Sequence, residues 1–133
     1  MTATPTATAL HSLTVALDAP PLPLSAVPEA PTGATASWRW QVRRLLGELR
    51  DALGSEGDAA TDGWLAARSV TLLRERDLLL GRLGRLGPVV LQSPDVAGIC
   101  RELRRLTTDI GHYCQRLHDL AYDEVELELG GSE

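Results

Sequence analysis

Asp109 and His112 stand three residues apart, the carboxylate-x-x-His spacing that di-iron helical bundles carry on each of two helices. On a helix that spacing puts both groups on one face. A complete site takes two such pairs and two further glutamates. This chain has one pair, which a symmetric dimer would double. His118 lies about 240° round the helix from His112 and cannot join it. Cys114 and His118 are four apart and adjacent on one face, the spacing of a thiol-imidazole dyad. No orienting third group, glycine-rich turn or nucleophile elbow accompanies them. Cys100 and Cys114 are separated along one helix by about 21 Å, and a disulfide needs Cα atoms within about 7 Å. Both fall on an apolar stripe and read as reduced core residues of a cytoplasmic protein. The chain therefore reads as non-enzymatic, with no catalytic residue, no metal ligand and no cofactor assigned.

The element that would position these groups is the longest helix the chain can build. Val96, Ile99, Cys100, Leu103, Leu106, Ile110, Tyr113, Leu117, Leu120 and Ala121 step by threes and fours, opened by the N-cap signal Ser93-Pro94-Asp95. About thirty residues give a rod of about 45 Å. A first helix is capped by Ser37, carries Trp38, Val42, Leu45, Leu46, Leu49 and Leu53 on one face, and ends at Gly54. Trp40 sits about 200° from Trp38, off that face and among arginines. After the loop 54–63, a second helix runs over 64–86 and stops before Pro88. Leu13, Val15 and Leu17 alternate with Ser12, Thr14 and Ala16, and Val125, Leu127 and Leu129 alternate with Glu124, Glu126 and Glu128. Period two predicts strands, which pair as a two-stranded ribbon on the helices.

Net charge is -5, and its placement matters more than its size. All 13 arginines lie within residues 37–124, where 13 of the 18 acids balance them, so the excess sits at the two ends. A neutral body with acidic ends lacks the basic face that nucleic acid requires. Arg39, Arg43, Arg44 and Arg50, with Arg101, Arg104 and Arg105, read as solvated faces balanced by nearby acids. No segment reaches the eighteen apolar residues of a membrane helix, and no Lys or Arg before Arg39 forms the basic start of a signal peptide. Lys, Asn and Phe are absent and Ile occurs twice, a usage that fits a GC-rich bacterial genome.

Gln115-Arg116, then Asp119-Leu120-x-Tyr122-Asp123, then alternating acids and aliphatics into Gly130-Gly131 resemble the C-terminal ends of small helical hypothetical proteins of actinobacterial type. The resemblance covers about the last twenty residues and implies no activity.

These readings define an all-α protein, an antiparallel three-helix bundle with the short terminal ribbon added. Residues 1–36 hold a short strand and a Pro-rich linker, 37–124 the bundle, and 125–133 an acidic strand-like tail. The long helix outreaches its neighbours, so its apolar stripe needs a second copy or a partner. The function expected is a helical interaction protein, a homodimeric adaptor or regulatory subunit with a further protein partner and no nucleic-acid or membrane role. Its interface residues are Trp40, Tyr113, Leu117, Leu120, Val125, Leu127 and Leu129. The alternative is a metal-binding or redox bundle using Asp109 and His112 across a dimer.

Overall fold

The computed structural model describes residues 4–20, 33–60 and 66–130, with backbone alone at 33, 34, 56–60, 66–69, 121 and 123–130. It is all-helical. Four helices, α1 (Pro5–Asp18), α2 (Gly33–Ala60), α3 (Ala66–Gln92) and α4 (Val96–Gly130), follow one another. Helix α2 packs on α1 and α3, and α4 packs on α3 and α1, so the four close a ring. Buried residues from all four form a single core.

Two expectations are corrected here. Among the described residues there are four helices and no strand, so residues 12–17 and 125–129 form no terminal ribbon. Residues 12–17 lie inside α1, whose buried positions Thr6, Ala9, Leu13, Ala16 and Leu17 repeat at helical spacing. The alternation of Leu13, Val15 and Leu17 misleads because Val15 is 53% exposed while Leu13 is fully buried. The start of α1 is fixed by Thr4, whose Oγ1 accepts from the Ala7 N–H at 3.1 Å, and by Pro5 at the first turn. Residues 125–130, read as a strand-like tail, continue α4 as helix.

Helix ends also move. Gly54 is interior to α2, since no described glycine has the positive φ of a left-handed C-terminal cap. Pro88 lies inside α3, and Gly87 before it eases the geometry, because helical backbone is disfavoured for the residue preceding proline partly by its Cβ. The connection from α3 to α4 is then three residues, 93–95. Asp95, rather than Ser93, caps α4, its Oδ1 accepting from the Gly98 N–H at 2.9 Å, while Ser93 Oγ accepts from the Asp95 N–H at 3.2 Å.

Arginines close the other helix ends. Arg39 Nη1 donates to the carbonyls of Val90 at 2.9 Å and Ser93 at 2.6 Å, satisfying the last turn of α3. Arg104 donates to the Leu17 carbonyl at 3.0 Å and pairs with Asp18 at 2.9 Å, which does the same for α1. Part of what reads in the sequence as solvated arginine face is helix capping. At 1.5 Å per residue α1 spans about 21 Å and α4 about 52 Å. The pairs Arg82–Asp109 and Arg116–Glu75 set the antiparallel register of α3 and α4. That register places Ala66, the first residue of α3, opposite Val125, so the last residues of α4 run beyond it.

Candidate functional site

Two tryptophans two residues apart on α2 have opposite surroundings. Trp38 is buried and its Nε1 donates to the Ala16 carbonyl at 2.9 Å, tying α2 to the C-terminal turn of α1. Trp40 is 64% exposed. A two-residue step turns a helix by about 200° and carries Trp40 to the outer face, one turn from Arg43 and Arg44. A buried tryptophan with a satisfied N–H is ordinary core, whereas an exposed one presents a large apolar surface to water.

Beside Trp40 on α2, a cleft of about 140 Å³ opens between α2 and α3. Its lining includes Arg43, Gly47 and Arg50 from α2 and Leu83, Gly84 and Gly87 from α3. Gly84 is open space, with nothing within 4 Å of where its Cβ would stand. The Arg43 stem lies across Gly87, its Nε 2.9 Å from the Cβ position there. Three arginines of α2 and α3 have acceptors: Arg39 holds two carbonyls, Arg76 donates to the Gly54 carbonyl at 3.3 Å, and Arg82 pairs with Asp109 at 2.7 Å, whereas Arg44, Arg74 and Arg85 have none among the described residues. Arg43 and Arg50 have no acceptor among the described residues. Asp51 also borders the cleft and offsets one of the two charges.

The expected interface residues on α4 are in a different situation. Tyr113 and Leu120 are 1% and 6% exposed and belong to the core of one chain, and Leu117 is half-buried against it. The fourth helix and the length of α3 supply the cover that a three-helix bundle lacks. Val125, Leu127 and Leu129 are helical in backbone, and their side chains lie outside the described residues. Among the described side chains of the expected set, Trp40 is the one with a large exposed apolar surface.

Asp109 lies on the α3-facing edge of α4, and His112 follows it one turn on. The Asp109 carboxylate is engaged by the Arg82 guanidinium, while His112 is exposed. Among the described residues no three His, Cys, Asp or Glu side chains gather to hold a metal. Cys100 is buried and Cys114 half-buried, and neither forms a disulfide. Burial pushes the Cys100 thiol above its ordinary range, and the Arg104 guanidinium partly opposes the shift.

The cleft residues Gly47, Gly84 and Gly87 were not selected by sequence reasoning. Glycines inside a helix pattern weaken it, and the useful signal was their recurrence at 81, 84 and 87 on a helix that nonetheless forms. Against known protein families, curated proteins and solved structures the chain shows no match. No described helix is long and apolar enough to cross a membrane.

Proposed function

We propose that this chain is a non-enzymatic helical interaction protein, a cytoplasmic adaptor or regulatory subunit that acts as a homodimer. The observation that carries the reading is Trp40, 64% exposed on the outer face of α2. An indole side chain buries about 150–250 Å² when covered, so roughly two-thirds of that area in water leaves about 2–4 kcal/mol of apolar burial unused. Trp and Arg are the side chains that most often dominate binding energy at protein interfaces, and Trp40 has Arg43 and Arg44 one turn away. The arginine-walled cleft beside it gives the same face charged donors that few internal acceptors occupy.

Sedimentation equilibrium at about 20–50 μM tests the reading, because a regulatory dimer with a micromolar Kd is populated there. The wild-type chain sediments as a dimer. Trp40→Ala weakens association at least about tenfold, a change of about 1.4 kcal/mol, with the helical circular dichroism unchanged. A monomeric wild-type chain refutes the homodimer.

A further inference from the structure

We propose that the cleft between α2 and α3 seats the acidic C-terminal end of α4 from a second copy of this chain. The proposal rests on the homodimer reading above and names its contact surface and occupant.

The cleft is built to receive an anionic backbone-close partner. Gly84 leaves open space in the cleft, while the Arg43 side chain lies across Gly87 and reaches toward Gly47, and Leu46 and Leu83 complete the lining. Glycine allows another backbone to approach more closely than any other residue. Arg43 and Arg50 stand on its α2 side without internal acceptors among the described residues. Guanidinium groups bind carboxylates through paired, charge-assisted hydrogen bonds, so two uncommitted arginines favour carboxylates as the occupant's polar groups. Trp40 continues the same face of α2 and offers apolar surface next to those charges.

One segment of this chain has the matching chemistry. Residues 123–130 carry Asp123, Glu124, Glu126 and Glu128 interleaved with Val125, Leu127 and Leu129, and no cation. Their backbone is helical and runs past the first residue of α3, so the segment is at an end of the bundle. A helix C-terminus also carries about half a unit of negative charge from its aligned peptide dipoles. Carboxylates and dipole therefore point the same way electrostatically, toward a cationic acceptor. The chain's charge excess lies outside the neutral body, at its ends, which is where an electrostatic dock needs it. A stable dimer buries about 1,600 Å² in total, more than one helix end supplies. Two-fold symmetry doubles the contact, each copy's α4 end entering the other's cleft.

Sedimentation velocity of the full chain at about 50 mM and about 500 mM salt tests this, since exposed charge pairs are screened over that range. The dimer constant weakens about tenfold or more at the higher salt. Arg43→Glu with Arg50→Glu abolishes association, and so does Gly84→Gln, which fills the cleft without changing charge. Gly84 has open space around it, so that variant keeps its fold. Adding Glu126→Arg and Glu128→Arg to the arginine double variant restores the dimer. A dimer indifferent to the arginine and Gly84 variants overturns the cleft as the contact surface and leaves the homodimer standing. Loss of association without rescue by the swapped charges overturns the α4 end as occupant. A wild-type chain that is monomeric at both salts overturns this proposal and the homodimer together.

Discussion

Glycine-to-alanine substitutions should change sign along this chain according to what each new methyl group meets. A glycine inside a helix costs about 0.5–1 kcal/mol relative to alanine, because it loses more backbone freedom on folding. At Gly81, Gly84 and Gly111 an added Cβ has nothing within 4 Å. Each substitution there keeps the full entropic gain, about 0.5–1 kcal/mol, or roughly 2–5 °C in Tm for a chain of this size. Gly98 is different. Its Cβ would stand 2.2 Å from Asp95 Oδ2 and 2.7 Å from Asp95 Cγ, the carboxylate that caps α4 through the Gly98 N–H. The carboxylate must swing away, and losing such a cap costs about 1 kcal/mol, which cancels or reverses the gain. Gly87→Ala is intermediate, since it has only to displace the flexible Arg43 side chain. Thermal and urea unfolding followed by circular dichroism measure the series. The reasoning fails if Gly98→Ala stabilises as much as Gly84→Ala, or if Gly84→Ala destabilises by more than about 0.5 kcal/mol.

The helical register of α1 predicts that Leu13→Ala, at a fully buried position, costs about 2–5 kcal/mol, while Val15→Asp changes stability by less than about 0.5 kcal/mol; equal costs in urea titrations would return the segment to a strand buried on one face. Trp38→Phe removes the donor to the Ala16 carbonyl and costs about 1–3 kcal/mol, with hydrogen exchange rising first in α1; unchanged exchange there would show that the bond does not hold α1 to α2. Cys100 reacts with a thiol reagent more slowly than a free cysteine at neutral pH, because burial raises its pKa. The sign for stability follows: a group whose folded pKa is raised contributes fully below its unfolded value, about 8.5, and that contribution is lost as pH climbs from there through the folded value. Stability that falls as pH rises above about 8.5 in the wild type and is flatter in Cys100→Ala is the expected result; identical pH profiles would remove the thiol from the account.

Three of the four helices were legible because each carries a long apolar stripe at period 3.6, and the split between Trp38 and Trp40 followed from their two-residue spacing, about 200° on a helix. Helix α1 was not, because two patterns compete in the same residues. Leu13, Val15 and Leu17 alternate, while Ala9, Leu13, Ala16 and Leu17 repeat helically, and alanine is too small to dominate a hydrophobic count. The deciding signal was Thr4-Pro5, an N-cap and a first-turn proline. Breakers were overread in the opposite direction. Gly54 and Pro88 sit in helices that continue, and at Gly87 the missing Cβ removes one of the two groups that proline crowds on its predecessor.

The missing fourth helix also explains why the candidate site moved. With three helices the stripe from Ile110 to Leu120 has no cover at its far end and demands a second copy. With α1 closing the ring, Ile110, Tyr113 and Leu120 are core, and the demand disappears. What remains open lies on the other side of the bundle, where Gly47 meets Gly84 and Gly87 across two helices separated by more than thirty residues in sequence. No periodicity count finds such a place, because glycine adds nothing to a stripe and the cleft exists only once both helices are docked. After Arg39 and Arg104 are spent on helix ends and Arg82 and Arg116 on α3–α4 pairs, Arg43, Arg44, Arg50, Arg74 and Arg85 remain without an acceptor among the described residues, and two of these, Arg43 and Arg50, line the cleft. A charge that the fold does not use internally is available for association, and here it borders Trp40, the large apolar side chain that the described part of the expected interface leaves in water.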